Sequence, residues 1–129
     1  MSRLSLAFFS AATLYGMAGM VWGAIMGSTH DFTLAPAHAH LNLLGWVSLS
    51  IMAGFYALAG PRAPRRLGWI NFAICNVGLL IFISELARLL AGDASAEPVM
   101  IVGIAIWLVG MLTFLAAVLS LWTRPKAAA

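Results

Sequence analysis

PVMIVGIAIWLVGMLTFLAAVLSLW, Pro98 to Trp122, contains no charged side chain from end to end. A helix needs about 20 consecutive apolar residues to cross the hydrocarbon core of a bilayer, and this stretch supplies them. Working back towards the N-terminus, three more stretches of the same kind can be cut, at 67–92, 36–60 and 4–27, with only short polar joints between them. Proline opens the second and the fourth stretch, at Pro36 and Pro98, where its missing N–H costs nothing. The whole 129-residue chain is 63% hydrophobic and 9% charged, with mean hydropathy +0.99, outside the range of ordinary soluble domains. The expected fold is all-α, an integral membrane four-helix bundle forming one domain over 1–129. The joints are too short to bury a core of their own, so any chemistry belongs between the helices or at their ends.

The first stretch reads as a retained helix and not as a cleaved signal peptide. It lacks a small-x-small site followed by a polar mature region, and its glycines are spaced for packing. Those glycines, Gly16, Gly19, Gly23 and Gly27, line one helical face with almost no side chain. Such a strip serves either close packing against another helix or a flat wall for a planar ligand. Met17 and Met20 flank it, as gap fillers or, more sharply, as ligands to haem iron. The single cysteine, Cys75, sits mid-helix, provides no disulfide framework and reads as a small buried apolar residue.

The joints predict an orientation. Arg3, the trio Arg62, Arg65 and Arg66, and the pair Arg124 and Lys126 all fall on one side, which should be cytoplasmic, with both termini inside. The other side holds His30 and Asp31 in one joint and, in the second, only acidic charges, Asp93 and Glu97. A multi-pass protein of a bacterial-type cytoplasmic membrane follows, its lipid bilayer the first partner, with nucleic acid not expected. Trp69 and Trp122 read as interface anchors.

Ionisable groups inside a bilayer are costly, so each one in a spanning stretch is a functional hypothesis. Here they are His38 and His40 near the start of the second stretch, and Glu85 and Arg88 near the end of the third. Both pairs fall at the same end, within about two turns of it, in one layer of the membrane. Two residues apart on an α-helix is about 200° of rotation, so His38 and His40 face nearly opposite directions and do not readily clasp one small ion. Two separate acceptors suit that geometry, or one acceptor inside the bundle and one at an interface with another chain. Two haems flanking one helix would meet it. Asn42 shares the face of His38, and Gly45 thins the helix a turn further on. Glu85 and Arg88, three apart, can neutralise each other. The functional alternative has Arg88 binding a haem propionate and Glu85 orienting a histidine or relaying protons. Asn71, Asn76 and Ser84 are candidates for hydrogen bonds between helices.

The segment Pro36-Ala-His-Ala-His-Leu-Asn-Leu-Leu-Gly-Trp-Val47, running on to Ala53-Gly54-Phe55-Tyr56, resembles one helix of the haem-copper oxidase superfamily. It is similar to the tenth helix of subunit I, with the C-type cytochrome oxidases and nitric oxide reductases looking closest. In that family the first histidine of the pair binds the high-spin catalytic haem and the second the low-spin electron-transfer haem. The resemblance implies those roles for His38 and His40. It covers one helix of the four and brings no counterpart of the copper-binding histidines or of the helix supplying the second low-spin ligand. That missing ligand would come from His30, a methionine or another subunit, most simply through a homodimer.

The leading expectation is a haem b-binding membrane protein, most simply a homodimer, with two haems per dimer or per chain. It would act in electron transfer or in binding or reduction of a diatomic gas, O2 or NO, with quinol or another redox partner as electron donor. The first rival is a copper or zinc handling protein with His30, Asp31, His38 and His40 as its metal cluster. The second is a non-catalytic assembly subunit whose polar layer only holds a partner.

Overall fold

The computed structural model describes residues 1–122, so Arg124 and Lys126, two of the cations expected to mark one side, lie outside the described residues. Four helices carry the fold: α1 (Arg3–Thr29), α2 (Ala35–Arg62), α3 (Arg65–Leu90) and α4 (Glu97–Leu119). All four are long and apolar enough to cross a membrane. Their ends differ from the expected bounds by no more than about a turn, for local reasons. Ser2 caps α1, its Oγ accepting from the Ser5 N–H at 3.1 Å, so the helix starts before the apolar run does. At the far end of α3, Gly92 takes φ +100 and stops the chain from continuing as helix. Asp93 then caps the short turn Ala94–Ala96 that leads into α4, accepting from the Ser95 N–H at 3.0 Å.

The helices pack as two hairpins. In the α3–α4 pair, glycine lets backbone meet backbone. A Cβ on Gly78 would stand 2.6 Å from the Trp107 nitrogen, and one on Gly103 2.6 Å from the Phe82 nitrogen. Gly110 leaves room for the buried Cys75 thiol, 2.5 Å from where its Cβ would be. In a bilayer no hydrophobic drive holds two helices together, so close van der Waals contact of this kind has to.

The α1–α2 pair uses its glycines differently. Gly23, Gly19 and Gly16 are covered in turn by His38, Asn42 and Trp46 of the antiparallel α2. The strip is therefore a packing face over these three glycines, and only Gly27 is left open. Met17 and Met20, 54% and 63% exposed, fill no gap in this chain. Alignment of His38, Asn42 and Trp46 at intervals of four depends on a feature absent from the sequence expectations. Leu41–Ser48 is π-helical, set between α-helical Ala35–His40 and Leu49–Ala59. Its i→i+5 pairing makes a turn wider than 3.6 residues, so residues four apart stack more nearly in line. The Ser48 hydroxyl follows the same register, donating to the Leu43 carbonyl at 2.9 Å.

Buried polar groups tie the hairpins together, as they must where no water is present to satisfy them. Ser5 donates to the Ala53 carbonyl at 2.9 Å within the α1–α2 pair, and Tyr15 reaches across to α3, donating to Asn76 Oδ1 at 2.9 Å. Tyr56 donates to Asn71 Oδ1 at 3.2 Å, and Asn71 passes the link on to the Gly110 carbonyl at 2.8 Å. Asn71 and Asn76 thus serve between helices, whereas Ser84 donates within its own helix to the Ile81 carbonyl. Phe8 sits at the centre, 5.2 Å from the Tyr56 ring and 5.0 Å from that of Phe72.

Candidate histidine site

The polar groups singled out in the sequence gather at the end of the bundle where α1 runs into α2 and α3 into α4. His38 and His40 lie against different helices. His38 turns towards α1: its Cε1 is 3.0 Å from the Cβ that Gly23 lacks, and its ring is 6.5 Å from that of Trp22, edge to face. His40 turns towards α3, its ring 5.3 Å from that of the buried Phe82, again edge to face. The helical rotation between positions two apart produces this split.

The two imidazoles are held differently. His40 Nδ1 lies 2.7 Å from the Pro36 carbonyl oxygen, one helical turn back. A carbonyl only accepts, so Nδ1 carries the proton and Nε2 keeps its lone pair. His40 is exposed, so its ring stands at the surface of the pair α2–α3. A carbonyl bond on one nitrogen and a lone pair on the other is the arrangement commonly found behind a metal-bound histidine. His38 is half-buried, and the Asn42 amide nitrogen stands 3.4 and 3.3 Å from its two ring nitrogens and 3.1 Å from its carbonyl oxygen. Asn42 also fills the space over Gly19. It is a spacer between α1 and α2 as much as a polar companion of His38. Gly45, where the helix is thinned, admits the Tyr15 side chain.

Glu85 and Arg88 form the anticipated ion pair, Nη1 to Oε2 at 2.7 Å, with Glu85 only 14% exposed. A third member was not anticipated: Asp93 in the following turn takes the other terminal nitrogen, Nη2 to Oδ2 at 2.6 Å. The Asp93 carboxyl is held below the usual carboxylate range, first by the Ser95 hydroxyl, which donates at 2.6 Å, and then by Arg88. Both ends of the guanidinium are therefore engaged within the chain. Glu85 accepts from Arg88, and no bond from it to a histidine is found among the described residues. One turn separates Glu85 from Phe82, so the clasp and the His40 ring lie at neighbouring levels of α3.

His30 terminates α1 in the left-handed region, φ 55, exposed at the head of the joint. Asp31 accepts from the Thr33 N–H at 3.0 Å and is held below the usual carboxylate range by its bonds to Thr33. Among the described residues, no group of three His, Cys, Asp or Glu side chains comes together to hold a metal ion. Sequence reasoning missed the π segment, Trp22, Phe82 and the Pro36 carbonyl. A histidine four residues after Pro36 was a visible signal for the last of these.

Compared with family models, with curated proteins and with solved structures, the chain matches none.

Proposed function

We propose that this is a haem b-binding membrane protein in which His40 supplies an axial ligand, serving electron transfer or the binding of a diatomic gas. The observation that carries the reading is the His40 imidazole: Nδ1 is taken by the Pro36 carbonyl, which leaves Nε2 as the nitrogen for a ligand, and the residue is exposed. The likeness of Pro36–Val47 to the family helix supports it from an independent direction. When bound, haem supplies a one-electron couple, and O2 or NO chemistry if one axial position stays open.

The residues fit this group unequally. His40 is ready to ligate. His38 has its ring against the α1 backbone at Gly23 and beside the Asn42 amide, so ligation there requires Asn42 to swing away. Arg88 would have to release a carboxylate before taking a propionate. The proposal therefore rests on His40, with His38 and Asn42 setting the spacing of α1 and α2. The flank that carries His40 also exposes Leu43 and Val47, at 57% and 41%, and a second copy of α2 laid on it would bring a second His40 to the same ligand. The residues would then face the histidine end of a two-fold dimer in a cytoplasmic membrane, electrons arriving from quinol or another redox partner.

Absorption spectra of detergent-purified protein, oxidised and dithionite-reduced, with a pyridine haemochrome assay, test the reading. A Soret band that His40→Ala removes and His38→Ala leaves largely in place is the expected result. Sharp reduced α and β bands would assign electron transfer, and a broad reduced spectrum shifted by carbon monoxide would assign gas binding. A colourless preparation despite haem supplied during expression would overturn the proposal, and stoichiometric copper or zinc in it would favour metal handling.

A further inference from the structure

At the opposite end of the bundle from the histidines, the start of α1 and the start of α3 enclose a cavity of about 460 Å³ lined by Ser2, Arg3, Leu4, Arg65 and Trp69. Its charge is one-sided. The four acidic side chains of the sequence, Asp31, Glu85, Asp93 and Glu97, all belong to the histidine end, so none stands near Arg3 or Arg65. Neither α1 nor α3 carries an acidic residue in its first turn to satisfy its own N-terminal N–H groups. An indole at the rim is the side chain that settles at the headgroup level of a membrane.

A second, shallow apolar depression lies further along α1. It is lined by Leu6, Phe9, Ser10, Thr13 and Leu14, and its volume is about 380 Å³. Positions 3, 6, 10 and 13 share one helical face, so the depression lies directly inward from Arg3. The hydroxyl of Thr13 is turned back onto the Phe9 carbonyl at 2.8 Å, which leaves its methyl side to the depression. From Arg3 to Thr13 is about 15 Å along the helix, half of the roughly 30 Å hydrocarbon core and so the depth of one leaflet.

A cationic slot with an indole at its rim, and on the same face of α1 an apolar depression reaching about one leaflet inward, together match the head and one tail of a single molecule. We infer that this site binds an anionic phospholipid, its phosphate between Arg3 and Arg65 and one acyl chain against Leu6, Thr13 and Leu14. The inference does not depend on haem. It also differs from general attraction of basic residues to a negative membrane surface, because it requires these two arginines and not others at the same end.

Native mass spectrometry and thermal unfolding of the delipidated full chain test it, with phosphatidylglycerol and phosphatidylcholine of identical acyl chains as probes, and glycerol phosphate as a head without tails. Phosphatidylglycerol should bind in discrete stoichiometry and raise the unfolding temperature, and the other two should not. The double variant Arg3→Gln, Arg65→Gln should weaken binding about tenfold or more, while Arg66→Gln leaves it close to wild type. Thr13→Trp, an exposed change that fills the depression, should weaken phosphatidylglycerol binding with both arginines in place. Equal binding of the two lipids, equal loss in Arg66→Gln, or full binding of glycerol phosphate would each overturn the inference.

Discussion

The two hairpins spend their glycines in opposite ways. In α3–α4, Gly78 and Gly103 receive the backbone of the partner helix, which has nowhere to go. In α1–α2, Gly16, Gly19 and Gly23 receive an indole, an amide and an imidazole, side chains with rotamers of their own. Backbone against backbone fixes a distance, whereas backbone against side chain leaves a distance that can be adjusted. The candidate chemistry sits on the adjustable hairpin and leans on the fixed one through the His40–Phe82 contact. The wider turns of the π segment bring Asn42 and Trp46 more nearly into line over Gly19 and Gly16, and sites of function are where such segments are often found.

The largest effect should come from the fixed pair. Gly103→Ala or Gly78→Ala forces two backbones apart and should cost about 1–3 kcal/mol, read as a fall in unfolding temperature of the detergent-purified protein. Gly19→Ala meets only the mobile end of Asn42, and should cost less, about 1 kcal/mol or below. If Gly19→Ala destabilised as much as Gly103→Ala, the distinction between the hairpins would fail. Tyr56→Phe sharpens the link between them. It removes one hydrogen bond to Asn71 while Asn71 keeps the Gly110 carbonyl, so the loss should be about 0.6 kcal/mol, with Asn71→Ala clearly worse by the same assay.

Much of this was legible in the sequence because a bilayer leaves few choices. Each span must satisfy its own backbone, so Pro98–Trp122 and its three fellows announce themselves by length and composition. The opposite faces of His38 and His40 follow from helical rotation alone, and the Glu85–Arg88 pair from spacing. What each face meets was not legible. Apolar residues surround every helix, so no polar stripe tells the lipid side of α1 from the side that α2 covers. The π turns of Leu41–Ser48, over which Asn42 and Trp46 meet Gly19 and Gly16 of another helix, are not encoded by any local propensity. The pairing of Asp93 with Arg88 was not legible because it depends on Gly92, whose positive φ turns the chain back towards Arg88.

Asp93 gives the smallest effect and the one whose sign is most constrained. Its carboxyl is held below its ordinary value by Ser95 and Arg88, so the charged form is the one the fold prefers. The stabilisation is then fully present above the ordinary carboxylate pKa, about 3.9, and is lost as the pH falls through the lower value of the folded protein. Near neutrality Asp93→Asn should unfold at a slightly lower temperature than wild type, because Arg88 keeps Glu85 but loses its second carboxylate. Once the pH has fallen through that lowered value the wild-type residue is itself neutral, and the two unfolding temperatures should converge. The exposed position of both partners keeps the gap small and makes it shrink with added salt. A gap that persisted unchanged at acid pH would mean that the turn is held by the geometry of Gly92 and the Asp93 cap alone. The Arg88 clasp would then contribute nothing to joining α3 to α4.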